Sequence, residues 1–171
     1  VDLSGVEVEL VDHPDRAHKL QKALAVEESR WDVCLIDCPP SLGMLTINAL
    51  VAADSILVPL QCEFFALEGL SQLLQTVERI QNRFNSSLSI LGVALTMFDR
   101  RNNLSDQVAG EVRSFFGAKV YQTVIPRNVK LSEAPSFGLP AILYDHKCSG
   151  SEAYIMLAQE LMQRERERAA A

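Results

Sequence analysis

Short apolar runs alternate along this chain with longer segments in which apolar residues return every three or four positions. The runs have the length of strands that are buried on both faces of a sheet. They cover Val33–Ile36, Ser55–Leu60, Ile90–Thr96 and Val120–Ile125. In the longer segments between these runs, the recurrence of apolar residues every three or four positions is typical of amphipathic helices. Strands that alternate with helices predict an α/β fold, with a mostly parallel sheet and helices on both of its faces.

The clearest helix is predicted over residues 66–84, where the apolar positions recur at helical spacing. These positions are Leu67, Leu70, Leu74, Val77, Ile80 and Phe84. Further helices are expected from about residue 42 to 53 and from about Leu104 to Gly117, where the glycine would end the helix. A capping-box sequence over residues 149–152 predicts the start of the last helix. The stretch 126–147, which contains Pro126, Pro135 and Pro140, is expected to be rich in loops.

The first residues give two conflicting signals. Over residues 6–10, valine and leucine alternate with glutamate, which indicates a strand. Residues 4–7, however, match a capping box, which indicates the start of a helix. Pro14 then suits the first turn of a helix that is expected to end near Glu28.

The composition narrows the classes of protein to consider. The 171 residues suffice for one domain with a sizeable core, and the formal net charge is -6, so nucleic-acid binding would need a local basic patch. No apolar stretch reaches the roughly 18 residues that cross a bilayer, and the start has no basic, signal-like region.

The four cysteines are Cys34, Cys38, Cys62 and Cys148. Without C-x-x-C spacing they are expected to be buried, reduced thiols rather than metal ligands.

The first candidate functional residue along the chain is Asp37, which directly follows the first apolar run. Two prolines, Ser41 and Gly43 follow before the next predicted helix. An acid at the carboxyl end of a buried strand lies where open α/β sheets bind ligands, and in P-loop nucleotidases such an acid holds Mg²⁺. The same position is equally typical of an aspartate that only starts a turn.

Three long motifs add a resemblance to a known family. The stretch Asp32–Leu50 resembles the Walker B and switch II region of the ParA/Soj chromosome-partitioning ATPases. Thr96–Ser105 and Ile125–Gly138 resemble two further signatures of the same family, in the same order. The resemblance runs from Ser4 to Glu160 and also favours a helix over residues 5–11. It implies a single α/β domain over residues 1–171, of the P-loop type with a deviant Walker A motif.

The resemblance also implies a set of nucleotide-site residues. Asp37 would orient Mg²⁺ through a water molecule, and Gly43 would be a flexible residue of switch II. The pocket for the nucleotide base would be built from the segments that follow two later strands. Those residues are Met97, Phe98, Pro126, Arg127 and Asn128.

DNA binding is implied in the same way. ParA-like proteins bind DNA without sequence preference when ATP makes them dimerise, and contacts from basic residues to phosphates suffice for this. Arg101 and Lys130 match the DNA-contacting positions of the family, and Arg100 and Arg127 are additional candidates. Lys130 stands where arginine is more usual, which keeps the charge but loses the fork geometry. A ParB-like partner and a cytoplasmic, nucleoid-associated location are implied as well.

One family motif does not occur in this sequence. No G-x-x-x-x-G-K-[ST] phosphate loop is present. The resemblance implies that this loop, with its lysines, and the switch I aspartate lie upstream of Val1, so that the chain is the C-terminal portion of a ParA-like protein. No catalytic residue is then expected within it, and binding of ATP by the chain alone is expected to be weak or absent.

Two alternatives stay open. The chain could be a truncated, non-catalytic homologue that serves as an interaction or DNA-binding module. It could also be an ATPase like MinD, which binds membranes through an amphipathic C-terminal helix. The end of this chain disfavours the second alternative. Arginine and glutamate alternate over residues 164–168, which offers no bulky apolar residue for insertion into a membrane.

Overall fold

The structure is a computed structural model that describes residues 3, 5, 9–10, 12–26, 31–39, 41 and 43–170. The chain divides into two compact units, each of which combines two stretches of sequence. The first unit comprises Val1–Ile56 and Gln72–Ser89, and the second comprises Leu57–Ser71 and Ile90–Ala171. Each unit is described by itself.

The described residues form a three-stranded sheet and a series of helices. The strands are β1 (Ser55–Gln61), β2 (Ser89–Phe98) and β3 (Val120–Pro126), in the order β1-β2-β3, and β2 pairs with β3 in parallel. The helices are α1 (Lys19–Ala25), α2 (Met44–Ala52), α3 (Ala66–Arg83), α4 (Asn103–Phe116), α5 (Val129–Glu133), α6 (Ala141–Tyr144) and α7 (Ser149–Ala169). Short 3₁₀ turns cover Arg16–His18, Gly117–Lys119 and Ala134–Phe137. The predicted α/β class is confirmed.

The first unit has its core between helices α2 and α3. Leu50, Val51, Val77, Ile80 and Leu88 are buried in one cluster with Ala17. The apolar spacing that predicted α3 therefore does mark its buried side. The end of α2 is closed by the Asn85 side chain, which donates hydrogen bonds to the carbonyl groups of Leu50, Val51 and Ala53 at 3.1, 3.2 and 2.8 Å. These bonds satisfy carbonyls that have no partner within the helix.

The predicted strand over Val33–Ile36 is wrong. The segment 31–39 contains no strand, and the side chains of Val33 and Leu35 are 72% and 88% exposed. An apolar run becomes a strand only where a neighbouring strand pairs with its backbone groups, and none of β1, β2 and β3 lies beside it in the sheet order. Cys34 and Cys38 are exposed too, so the expectation of buried thiols holds for Cys62 alone.

Of the predictions for the first 28 residues, the structure tests only those that fall on described residues. Most of residues 4–11 lies outside the described residues, so the choice between strand and helix there stays a prediction. The helix expected after Pro14 is present in shorter form, as a 3₁₀ turn over Arg16–His18 and then α1, which ends at Ala25. Residues 27–30, where it was expected to end, are not described.

The second unit packs helix α7 against the sheet. Ala94 on β2, Tyr121 and Ile125 on β3, and Ala153 and Leu157 on α7 form its buried cluster. Gly92 permits this packing, because a Cβ atom there would lie 2.5 Å from Cε2 of Tyr121 and 2.8 Å from the carbonyl oxygen of Lys119. The tyrosine ring is therefore seated directly on the backbone of β2.

Helix α4 begins and ends as predicted, close to Leu104 and before Gly117. The Asn102 side chain caps the first turn by accepting a hydrogen bond from the Leu104 N–H at 3.1 Å. Gly117 ends the helix with φ +54° and ψ −124°, a positive-φ conformation that a glycine adopts without strain.

Two predictions at the C-terminal side need correction. Helix α7 is capped by Cys148, whose sulfur accepts from the Ser151 N–H at 3.4 Å, rather than by Ser149. The loop-rich stretch 126–147 contains more helix than expected, because it folds into α5, a 3₁₀ turn and α6. Pro135 and Pro140 stand at the starts of these short elements, where proline needs no N–H partner.

No helix in the described part of the chain is long and apolar enough to cross a membrane.

Candidate functional site

The carboxyl ends of the three strands meet at a cleft in the second unit. Its volume is about 470 Å³, within the usual range of small-molecule pockets. It is lined by Cys62, Glu63, Met97, Asp99, Arg101, Asn102, Leu104, Ser105 and Arg127. Ligands of α/β proteins bind at this end of the sheet, so the cleft is the candidate functional site.

A buried serine ties the wall of the cleft together. Ser105 is only 2% exposed, and its hydroxyl donates to the Cys62 carbonyl at 3.3 Å while it accepts from the Asp99 N–H at 3.4 Å. The Cys62 N–H donates to the Thr96 carbonyl at 3.0 Å. Burial raises the pKa of the Cys62 thiol to about 11, so this side chain is uncharged at neutral pH. The segments after β1 and β2 are therefore fixed to helix α4.

Asp99 and Arg101 form a closed turn at the mouth of the cleft. The Asp99 carboxylate accepts from the Arg101 backbone N–H at 3.0 Å and from its guanidinium nitrogens Nε and Nη2 at 3.0 and 2.9 Å. These hydrogen bonds lower the pKa of Asp99 from 3.8 to about 2. The bidentate geometry orients the guanidinium, although its side chain is 88% exposed.

A second ion pair joins the ends of β1 and β3. The Arg127 guanidinium lies 2.8 Å from the Glu63 carboxylate, and both side chains are about half exposed. The Arg127 N–H donates to the Phe98 carbonyl at 2.9 Å, so the backbone of β3 is fixed to the end of β2 at the same point. Arg127 is thereby held with its charge at the cleft.

Met97 lies in the cleft with an unusual backbone conformation. Its φ is +51°, and it is the one residue other than glycine with positive φ in the described chain. The pairing of β2 with β3 shifts between Leu95 and Phe98, which places Met97 at an irregularity in the strand. Such bulges and left-handed residues cost energy and are concentrated at functional sites.

The predicted base-pocket residues are brought together in this region. Met97 and Arg127 line the cleft directly, and Phe98 contributes the carbonyl that holds Arg127. Asn128 follows as the cap of α5, accepting from the Lys130 N–H at 2.8 Å and donating to the Ser149 hydroxyl at 2.9 Å. Pro126 ends β3. Nucleotide contact by these residues stays a prediction.

The predicted DNA-contacting residues differ in their pairing. Arg101 is paired with Asp99, and the Lys130 ammonium lies 2.9 Å from Glu133 and 5.7 Å from the centre of the Tyr144 ring. Arg100 is exposed, and no ion pair of it is found within the described residues. Arg127, the remaining candidate, is paired with Glu63. Three of the four candidate cations are therefore already balanced by a carboxylate.

Asp37 and Gly43 belong to the first unit. Asp37 is exposed in the segment 31–39, which has no regular secondary structure. Gly43 precedes α2 with φ −78° and ψ −175°, which is extended backbone open to any residue. Its carbonyl accepts from the Ile47 N–H at 3.1 Å, and the Thr46 hydroxyl donates to the Ser41 carbonyl at 2.6 Å. The backbone angles at position 43 therefore do not by themselves require glycine.

Asp37 offers one carboxylate, which is the kind of ligand that Mg²⁺ takes beside nucleotides. That ion takes one or two protein carboxylates and fills its remaining positions with phosphate oxygens and waters. No cluster of three or more acidic, histidine or cysteine ligands occurs among the described residues. A single aspartate such as Asp37 agrees with this donor set, whereas an all-protein metal cage would need more ligands.

Sequence inspection missed several residues of the cleft. Glu63, Asp99 and Ser105 were not singled out, although Asp99 and Ser105 lie inside the family motif Thr96–Ser105. Glu63 had no local signal, because its partner Arg127 is 64 positions away. Ser105 is the last residue of that motif and stands three positions after the Asn102 cap.

Comparison with known proteins identifies the family. A family model described as "AAA domain" matches residues 1–90, and the chain belongs to this family. Within it, the chain is 58% identical over 171 residues to the chromosome partitioning protein ParA of Caulobacter vibrioides, covering 99% of this chain and 64% of that protein. It is 55% identical over 161 residues to the sporulation initiation inhibitor protein Soj of Bacillus subtilis, covering 94% and 64%. The resemblance to ParA/Soj proteins is thus confirmed.

The chain spans 64% of the length of the ParA relative and 66% of the Treponema pallidum chromosome-partitioning ATPase Soj, to which it is 54% identical. Among solved structures it is similar to cobyrinic acid a,c-diamide synthase from Mycobacterium smegmatis with bound ADP and magnesium. The TM-score is 0.78 and the identity 35%, over 96% of this chain and 60% of that one. The Pyrococcus furiosus cell-division ATPase MinD matches at TM-score 0.68 and 23% identity, over 86% and 58%, which shows the shared fold alone.

Proposed function

We propose that this chain acts within a ParA-type chromosome-partitioning ATPase, in which it contributes the pocket for the nucleotide base and the surface for DNA. One observation carries the proposal. The two family motifs Thr96–Ser105 and Ile125–Gly138, which are distant in sequence, supply facing parts of a single cleft at the carboxyl ends of the strands. The relatives named ParA and Soj, and the neighbour solved with ADP and magnesium, support the same function.

In this proposal the cleft receives the base and ribose of ATP. Met97 and Leu104 supply apolar contact, and Arg127 supplies a donor whose direction is set by Glu63. Phe98, Pro126 and Asn128 hold the backbone that positions Arg127. Asp37 would bind Mg²⁺ through water, and Gly43 would respond to the nucleotide as part of switch II. Bound Mg²⁺ neutralises charge on the phosphates during phosphoryl transfer.

The DNA surface would combine Arg100, Arg101 and Lys130. Arg100 is available without breaking an ion pair of the described chain, whereas Arg101 and Lys130 would exchange Asp99 and Glu133 for DNA phosphates. Phosphate contacts of this kind carry no sequence preference and weaken steeply as salt rises. Dimerisation with ATP, stimulation by a ParB-like partner and association with the nucleoid complete the proposal.

Nucleotide titration tests the pocket. The product of the complete open reading frame is titrated with Mg²⁺·ATP in a calorimeter, as wild type and as Arg127→Gln. Loss of one charge-assisted hydrogen bond is expected to weaken binding about tenfold or more. The matched control is Arg83→Gln on α3, an exposed arginine that does not line the cleft. Equal affinity of all three proteins would refute the assignment of Arg127.

Filter retention tests the DNA surface separately. With ATP and Mg²⁺ at low salt, Arg100→Glu is expected to reduce retention of random-sequence DNA, and Arg101→Glu with Lys130→Glu to reduce it further. Calorimetric ATP affinity should not change in Arg100→Glu, because Arg100 does not line the cleft, whereas Arg101 does. Retention equal to that of the wild type in both variants would exclude this surface.

A further inference from the structure

The second unit contains a side-chain clamp that lies outside the cleft. We infer that Glu160, together with Arg164, is a positioning residue that fixes the register of β3 and thereby places Arg127 in the cleft. The ligand in this inference is the nucleotide, so for that part it rests on the proposed function.

The pairing between β2 and β3 is irregular near the start of β3. Val93 is opposite Val120, whereas Leu95, two residues further along β2, is opposite Val124, four residues further along β3. Extra residues of β3 are therefore accommodated between Val120 and Val124, as in a β-bulge. Beyond this point Phe98 is opposite Pro126, and Arg127 follows directly.

Glu160 on α7 binds this bulge with both carboxylate oxygens. Oε1 accepts from the Gln122 N–H at 2.8 Å and Oε2 accepts from the Thr123 N–H at 2.9 Å. In a regular strand, consecutive N–H groups point to opposite sides, so one acceptor group cannot bind both. The carboxylate therefore recognises the bulged conformation and not a regular strand.

Arg164, one turn further along α7, completes the clamp. Its guanidinium donates to the carbonyl groups of Ala118 and Val120 at 2.8 and 3.0 Å, and it lies 2.6 Å from Glu160. It also stacks over the Tyr121 ring, 4.3 Å from the ring centre. The side chains of Arg164 and Glu160 are only 23% and 19% exposed. Without the clamp, the Thr123 N–H and the Val120 carbonyl would lose these partners at partly buried positions.

The clamp acts on the cleft through the strand. A strand advances about 3.3 Å per residue, so loss of the bulge would displace the end of β3 by several ångströms along β2. Arg127 would then lose the Phe98 carbonyl at 2.9 Å and the Glu63 carboxylate at 2.8 Å. Glu160 itself does not line the cleft, so it acts only through the position of Arg127.

Steady-state kinetics separate positioning from mere stability. In the product of the complete open reading frame, Glu160→Gln keeps the shape of the side chain but replaces one acceptor oxygen with a donor. We expect the KM for ATP to rise about tenfold with kcat unchanged, because ground-state and transition-state binding are lost equally. Glu167→Gln, an exposed glutamate on the same helix, is expected to leave both constants unchanged.

Every other result of these measurements decides either the inference or the proposed function. Unchanged KM in Glu160→Gln, with or without a lower kcat, overturns the inference, since a smaller folded fraction lowers kcat alone. If Glu160→Gln does not fold, Arg164→Lys replaces it, with the same expectation and the same refuting result. If the wild type does not hydrolyse ATP, the proposed function fails. The inference is then decided by exchange of the Arg127 amide hydrogen, which must accelerate in the variant and is refuted if it does not.

Discussion

Replacement of Gly92 by alanine gives a sharp test of the packing that supports the cleft. The added Cβ would lie 2.5 Å from Cε2 of Tyr121 and 2.8 Å from the Lys119 carbonyl oxygen, whereas carbon atoms prefer separations of about 3.5–4.0 Å. Tyr121 has no exposed surface, and the guanidinium of Arg164 covers its ring. The ring cannot move away without displacing β3 or α7, and the Lys119 oxygen belongs to the backbone.

Overpacking of a core costs about 1–3 kcal/mol, and we expect Gly92→Ala to lower the free energy of unfolding by this amount. The matched control is Gly110→Ala in the interior of α4, where nothing lies within 4 Å of the added atom. There the better helix propensity of alanine is expected to stabilise by about 0.5–1 kcal/mol. Urea denaturation followed by circular dichroism measures both variants. Effects of equal size and sign would refute the close packing of Gly92 against Tyr121.

Two further predictions concern single polar groups. The Tyr121 hydroxyl is buried without a hydrogen-bond partner among the described residues, so Tyr121→Phe is expected to raise the free energy of unfolding by about 1 kcal/mol in urea denaturation; a loss of stability would reveal a partner. The pKa of Asp99 is lowered to about 2 by its hydrogen bonds from Arg101, so its stabilising contribution is complete above pH 3.8 and is lost as the pH falls through 2. Carboxyl ¹³C titration should place the midpoint near 2 in the wild type and closer to 3.8 in Arg101→Ala; equal midpoints would contradict the ion pair.

Local patterns predicted the elements of this fold whose partners are close in sequence. The apolar spacing of residues 66–84 marks α3, which spans Ala66–Arg83, and Gly117 ends α4 as expected. The strand predicted over Val33–Ile36 is absent, because apolar character does not supply the neighbouring strand that a β-strand needs.

Long-range pairs explain what the sequence did not reveal of the site. The family motifs directed attention to Met97 and Arg127, and both line the cleft. Glu63 and Arg127 are 64 positions apart, and Glu160 is 38 positions from the Gln122 amide that it binds. Neither pair leaves a periodic or local signature, so only the folded chain shows that these groups meet.

Photolabelling tests most directly the central claim that the cleft binds the nucleotide base. The product of the complete open reading frame is irradiated with 8-azido-ATP and Mg²⁺, and labelled peptides are identified by mass spectrometry. The label is expected on peptides that contain Met97–Leu104 or Arg127, and excess ATP should prevent it. Labelling confined to peptides outside the cleft, or labelling that ATP does not reduce, would contradict the proposed function.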